Sequence, residues 1–134
     1  MLLPSLGRWS GRWFLGPTFA GSALMKADAD LIAAGLLLDL KTEWKLSLGV
    51  ATVFQVIGYA LLDFDDAYRV TSVGTFSTRY AYLATWDLRA LLDELAGCPV
   101  DLPSVRREFR QLLLECKLSA SRVKALLEDP IISA

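Results

Sequence analysis

The chain has 134 residues, of which 54% are hydrophobic and 22% are charged, and its formal net charge is -1. This composition excludes an intrinsically disordered chain and a protein that coats nucleic acid through bulk charge, so any contact with nucleic acid must be local. Because the sequence has no histidine and two cysteines, it also excludes a serine–histidine–aspartate triad, histidine-containing zinc sites and four-thiolate metal sites.

The first part of the chain, residues 1–22, is rich in glycine, proline and tryptophan and predicts irregular structure with at most one short turn of helix. Its arginines, Arg8 and Arg12, follow a short apolar start instead of preceding a long apolar core, so the segment does not resemble a signal peptide. Two cysteines are typical of reduced thiols in a cytoplasmic protein. We therefore expect one domain over residues 1–134, located in the cytoplasm.

A β-hairpin followed by a helix is predicted next. Residues 28–33 and 36–42 alternate or run apolar as strands do, with Ala34-Gly35 as a tight turn between them. A helix over 48–63 follows. The uncharged run 46–62 is seventeen residues long, near the lower limit for crossing a bilayer, but its polar residues favour a buried amphipathic helix and no membrane contact. Asp63, Asp65 and Asp66 then predict a solvated turn.

The second half of the chain predicts two further strands, over 68–76 and 79–85, and a C-terminal helical segment over 98–134. Asp87 is a suitable N-cap for a helix that ends at Ala96 before Gly97, and Pro103 opens the next helix. Its apolar stripe is Val105, Phe109, Leu112, Leu113 and Cys116, with Arg106, Arg107 and Arg110 on a solvated face. A separate short helix is expected over 120–128. The order β-β-α-β-β-α-α predicts an α/β or α+β domain around a mixed sheet.

A candidate metal site lies on the hairpin. Pairing Leu31 with Leu38 places Asp30 opposite Asp39, and two facing carboxylates repel unless a cation lies between them. Carboxylate oxygens with open water positions suit Mg²⁺ or Mn²⁺. Lys41 follows Asp39 by two residues and so shares its face of the strand. There it could orient or deprotonate an attacking water, or stabilise a developing phosphate charge.

Two polar residues on the next helix complete this set. Gln55 and Tyr59 are four residues apart and therefore lie on one helix face. An amide and a phenol can both bind phosphate oxygens or base edges, so these side chains are candidates for holding a substrate.

Asp30, the segment LLLDLKT (36–42) and the segment QVIGY (55–59) together resemble the PD-(D/E)XK nuclease superfamily, specifically its RecB-like exonuclease branch. The resemblance extends over about residues 17–85 and points to a shortened member of actinobacterial or phage type. It implies a restriction-endonuclease-like sheet flanked by helices and metal-dependent hydrolysis of DNA phosphodiester bonds. It also implies that Asp30 and Asp39 bind the metal, that Lys41 is the catalytic lysine, and that Gln55 and Tyr59 lie near the DNA.

Two features depart from this family. Its members usually carry an acidic residue on a helix before the first strand, whereas no acidic residue precedes Asp28 here. Asp28 could substitute for it, or a partner protein could supply it. The apolar run from Trp44 to Leu48 stands where a polar DNA-facing loop is expected, and it predicts a homo-oligomer.

Three functions therefore stay open. The first is a DNA nuclease, and the second is a non-catalytic DNA- or partner-binding module with an incomplete metal site. The third is an apolar interaction protein or a membrane-associated one. Arg8-Trp9 and Arg12-Trp13 form a repeated Gly-Arg-Trp that could contact nucleic acid in either of the first two cases.

Overall fold

The computed structural model describes residues 11–25, 29–45 and 48–128. Within these residues, five strands form one mixed sheet in the order β1-β2-β3-β4-β5. The strands are β1 (Trp13–Leu15), β2 (Leu31–Ala33), β3 (Leu36–Lys41), β4 (Ser72–Ser77) and β5 (Tyr82–Asp87). The helices are α1 (Val50–Leu62), α2 (Leu88–Ala96) and α3 (Leu102–Leu127), with a short 3₁₀ helix at Ala20–Ala23. The predicted mixed α+β fold is confirmed.

The β2–β3 hairpin has the predicted register. Leu31 pairs with Leu38 and Ala33 pairs with Leu36 in an antiparallel ladder. The turn residues Ala34 and Gly35 have φ values of 49° and 80°, as a two-residue turn with both central residues in the left-handed region requires. The hairpin therefore brings the residue before β2 next to the end of β3.

Strand β1 corrects the prediction that residues 1–22 are irregular. Trp13–Leu15 pairs antiparallel with β2, with Phe14 opposite Ile32. Three residues are too few to show an alternating pattern, and the strand exists because β2 offers its free edge. Residues 1–10, including Arg8 and Trp9, lie outside the described part of the chain.

Helix α1 crosses one face of the sheet and joins the parallel neighbours β3 and β4. Val56 and Ala60 of α1 are completely buried in one cluster with Leu37 of β3 and Val73 of β4. Leu37 and Asp39 lie on the same side of β3, because side chains two residues apart share a face. Because Leu37 is part of the core, the side chain of Asp39 lies on the core-facing side of the sheet. No helix among the described residues is both long enough and apolar enough to cross a bilayer.

Strands β4 and β5 lie a few residues later than predicted, whereas α2 has the predicted bounds. Strand β4 begins at Ser72 instead of residue 68, and β5 ends at Asp87 instead of residue 85. Asp87 caps α2 as expected, since its side chain accepts a hydrogen bond from the Ala90 amide at 2.9 Å. Gly97 ends α2 with a φ of 71°.

Asp63 corrects the prediction of a solvated turn after α1. Its side chain is completely buried, and its two oxygens accept hydrogen bonds from the amides of Ala67 and Tyr68, both at 3.1 Å. Burial raises the pKa of Asp63, and the nearby Asp65 raises it further, although these two amides and the charge of Arg106 act in the opposite direction. The carboxylate therefore holds the turn together from inside.

Replacing Asp63 with asparagine should make the free energy of unfolding less dependent on pH. The pKa of Asp63 in the folded chain is above its ordinary value of 3.8, so the folded state binds this proton more tightly than the unfolded chain does. The contribution of this group to stability is therefore present at low pH and falls as pH rises through the folded pKa. The asparagine does not titrate, so stability should shift in favour of Asp63→Asn as pH rises from the ordinary value of 3.8 through the raised pKa of Asp63. Urea unfolding at several pH values measures this, and a constant difference would contradict it.

Helix α3 differs from the prediction in two ways. It is one continuous helix from Leu102 to Leu127, not a helix followed by a second one over 120–128. Arg106 does not lie on a solvated face, because it is buried and donates two hydrogen bonds to the carbonyl of Ala60 at the end of α1. In the predicted apolar stripe, Val105, Phe109 and Leu113 pack against the core, whereas Leu112 and Cys116 are exposed.

Candidate functional site

The end of β3 places a carboxylate and an ammonium group on the core-facing side of the sheet. Asp39 follows the completely buried Leu37 by two residues and is itself 6% exposed. Lys41 follows on the same face, and its Nζ lies 2.7 Å from Oδ2 of Asp39. The two charged groups therefore form a close and largely buried ion pair.

Asp30 approaches this pair from across the hairpin. One of its carboxylate oxygens, Oδ2, accepts a hydrogen bond of 2.7 Å from the backbone amide of Leu40, the residue between Asp39 and Lys41. The structure thus brings Asp30 and Asp39 together, as the hairpin register predicts.

The environment of Asp39 opposes its ionisation. Burial raises the pKa of Asp39, and the neighbouring Asp30 carboxylate raises it as well, while the ammonium of Lys41 acts against both. Oδ2 of Asp39 is buried and lies against the Lys41 ammonium. Asp30 and Asp39 together bring two carboxylates to this single ammonium, so the cluster is suited to accept a further cation.

Gln55 and Tyr59 extend this cluster onto α1. The Lys41 Nζ donates a 2.9 Å hydrogen bond to Oε1 of Gln55, and Nε2 of Gln55 donates one of 2.7 Å to the Tyr59 hydroxyl. Both side chains thus lie on the Lys41 side of the cluster. A continuous chain of polar contacts runs from Asp39 through Lys41 and Gln55 to Tyr59.

Lys41 keeps its positive charge in this setting. Burial lowers the pKa of Lys41, but the Asp39 carboxylate outweighs this effect, with a further contribution from Glu43, so that the pKa is raised above its ordinary value. An ammonium group has three N–H donors, and two of those of Lys41 point to Asp39 and Gln55. A third N–H remains for another acceptor. The charge favours an electrostatic role for Lys41 over the removal of a proton from water.

Two residues of β4 belong to the same site and were missed from the sequence. Thr75 pairs with Asp39 and Ser77 pairs with Lys41 in the parallel β3–β4 ladder, and both are buried. They line a small cleft with Lys41, Tyr82 and three residues that follow β3, namely Glu43, Lys45 and Leu48. Their hydroxyls could accept or donate hydrogen bonds beside the ion pair. The local sequence carries no signal for them, because the pairing of β3 with β4 joins residues far apart in the chain.

The residues present fit a divalent cation only in part. Asp30 and Asp39 supply adjacent carboxylates, and carboxylate oxygens are the ligands that a hard cation prefers. However, no three acidic, cysteine or histidine side chains are grouped as a metal site within 11–25, 29–45 and 48–128. Asp28, the candidate third ligand, falls outside these ranges.

A larger cleft lies at the other end of the molecule. It has a volume of about 580 Å³ and lies between the turn after α1 and the start of α3. Asp66 in its wall is paired with Arg106 at 3.1 Å, and Arg107 donates a 2.9 Å hydrogen bond to Ser104. The first contact ties α3 to the turn after α1, and the second lies within α3. The repeated Gly-Arg-Trp is described in part. The guanidinium of Arg12 lies over the ring of Phe14, which belongs to the edge strand β1, at 5.6 Å from the ring centroid.

Comparisons with known proteins do not assign the chain to a family. No family model matches the sequence, and searches of curated proteins and of solved structures found no significant match. The functional argument therefore rests on the residues and on their geometry.

Proposed function

We propose that this protein is a divalent-metal-dependent nuclease that hydrolyses DNA phosphodiester bonds. The observation that carries the proposal is the convergence of Asp30, Asp39, Lys41, Gln55 and Tyr59 at the end of β3. This set combines two carboxylates, one fixed cation and two neutral hydrogen-bonding groups. It is also the set that the resemblance to PD-(D/E)XK nucleases implies.

Asp30 and Asp39 would hold the cation, Mg²⁺ or Mn²⁺. When bound, such an ion supplies Lewis-acid polarisation of a phosphate and a water of lowered pKa. A cation between the two carboxylates would also offset the burial that opposes the ionisation of Asp39.

The other three residues would act on the scissile phosphate or position each other. Lys41 is held by Asp39 and Gln55, and its third N–H is available to a phosphate oxygen or an attacking water. Its fixed positive charge would stabilise the negative charge that develops on the phosphate. Gln55 positions Lys41 through Oε1 and is itself held by Tyr59. The hydroxyl of Tyr59, at the far end of this series of hydrogen bonds, would contact the DNA.

A non-catalytic DNA- or partner-binding module is the second candidate. It is favoured by the absence of a third acidic side chain from the cluster within the described residues. Mg²⁺ prefers near-octahedral oxygen coordination, so two carboxylates position it less firmly than three would. A partner protein or a second copy of the chain could supply the missing ligand. A predicted homo-oligomer in the cytoplasm is compatible with either candidate.

Titration with Mn²⁺ tests the metal site directly. Asp39→Ala removes one of the two carboxylates and should weaken Mn²⁺ binding by more than about 10-fold, because even groups that only orient metal ligands contribute about that much. Calorimetry or the electron paramagnetic resonance signal of free Mn²⁺ measures the change. Glu108→Ala, which removes an exposed carboxylate from α3, is the matched control and should bind like the wild type. Equal affinities of Asp39→Ala and wild type would refute the proposed metal site.

A further inference from the structure

We propose that the indole of Trp44, backed by the guanidinium of Arg79, is a stacking site for an unpaired base of single-stranded DNA. This inference rests on the proposed function, because it assigns the form of DNA that the site at the end of β3 receives. The site selects DNA with an unpaired strand over fully paired duplex.

Trp44 is unusually exposed for a tryptophan that stands three residues after Lys41. Its exposed fraction is 78%, whereas Trp13, the other exposed tryptophan of the described chain, has 43%. The indole of Trp44 thus presents a large apolar surface to water, and a nucleobase can cover this surface by stacking on it. The apolar run that contains Trp44 also predicts a homo-oligomer, but the cationic contact of the Trp44 ring favours a nucleic-acid ligand at this residue.

Arg79 gives the ring a cationic backing. Its guanidinium carbon lies 3.4 Å from the centroid of the Trp44 ring, which is a close cation–π stack. A planar cation on one face of the indole leaves the opposite face for a planar ligand. The positive charge of Arg79 also attracts the phosphates on either side of a stacked base. A neutral apolar protein surface would gain nothing from this charge.

The β4–β5 turn anchors the segment around Trp44 to the end of β3. The amide of Thr78 donates a 2.9 Å hydrogen bond to the carbonyl of Lys41, which extends the β3–β4 ladder by one residue. The hydroxyl of Tyr80 donates to the carbonyl of Trp44. Arg79, between these two residues, is therefore held where its side chain meets the indole. The stack of Arg79 on Trp44 is therefore fixed relative to the end of β3, where Lys41 lies.

The spacing fits a strand that reaches both Trp44 and Lys41. Three residues of extended chain span at most about 11 Å, so a base on Trp44 lies within a few nucleotides of a phosphate at Lys41. Lys45, beside Lys41 in the cleft wall, adds a further positive charge along this path. A base within a duplex has both faces covered by its neighbours, so it cannot stack on the indole without being unstacked first. This is the physical basis of the preference for unpaired DNA.

The test measures binding of a fluorescent single-stranded oligodeoxyadenylate and of a blunt duplex by anisotropy, with EDTA present to prevent cleavage. Stacking on an aromatic side chain contributes about 1–3 kcal/mol per base, so Trp44→Ala should bind the single strand about 5- to 100-fold more weakly. Trp44→Phe keeps an aromatic face and should recover most of the affinity. The blunt duplex should bind both variants within about 2-fold of wild type. Trp13→Ala, on the far edge strand, is the matched control.

Every outcome decides the inference. Equal single-strand affinity of Trp44→Ala and wild type would overturn it, as would an equal loss in Trp13→Ala, an equal loss on duplex, or no single-strand binding by the wild type. A change from oligomer to monomer in Trp44→Ala without loss of single-strand affinity would also overturn it and would assign Trp44 to a protein interface. A Trp44-dependent affinity in a protein that cleaves no DNA would support the base site while refuting the nuclease. Normal binding by Trp44→Ala in a protein that does cleave DNA would refute the base site alone.

Discussion

Lys41→Ala is expected to lower the rate of DNA cleavage by about 100-fold or more. The Lys41 ammonium is held in place by Asp39 and Gln55, so it can meet the developing charge on a phosphate without reorganisation. Loss of one such preorganised group typically costs about 10²- to 10³-fold in rate. Cleavage of linear DNA with Mg²⁺, with Mn²⁺ and with EDTA measures the effect. Wild-type activity is itself expected to be slow, because two carboxylates position a metal ion loosely and a displacement of about 1 Å can cost about 100-fold.

The variant should fold and should still bind Mn²⁺, because Asp30 and Asp39 remain. Lys117→Ala is the control, since it removes an exposed ammonium from α3 and should stay within a few-fold of wild type. Equal rates for Lys41→Ala and wild type would indicate a different site or a contaminating nuclease. If the wild type cleaves no DNA with any metal, the binding-module candidate is favoured.

Arg106→Met is expected to lower the free energy of unfolding by about 2–3 kcal/mol. Methionine keeps much of the apolar stem, but it removes the hydrogen bonds of 3.3 Å and 3.2 Å to the carbonyl of Ala60. A buried acceptor left without its donor costs about 1–3 kcal/mol. The ion pair with Asp66 adds little, because 58% of the Asp66 side chain is exposed. Urea unfolding should show a lower midpoint with an unchanged slope.

Arg107→Met on the same helix is the matched control for this experiment. Arg107 is exposed and donates a hydrogen bond to the nearby Ser104, so its replacement should change stability by less than about 0.5 kcal/mol. If both variants lost stability equally, the buried position of Arg106 would not be what stabilises the contact between α3 and α1.

The candidate site was accessible from the sequence because its parts depend on short-range geometry. The proximity of Asp30 to Asp39 follows from the turn at Ala34-Gly35 and from the alternation of side chains along a strand. The position of Lys41 follows from the same alternation. Gln55 and Tyr59 are neighbours because four residues complete about one helical turn. Each of these relations involves residues close in the chain.

The parts that only the tertiary structure decided depend on contacts between distant segments. Arg106 follows the same helical repeat as its exposed neighbours, and its burial results from the way α3 packs across the end of α1. Thr75 and Ser77 enter the site through the parallel pairing of β3 with β4. Strand β1 forms because β2 has a free edge, and the Arg79–Trp44 stack forms because the β4–β5 turn reaches the end of β3. The periodicity of the sequence indicates which face of a helix or strand is apolar. Which polar side chains are also buried depends on how these elements pack against one another.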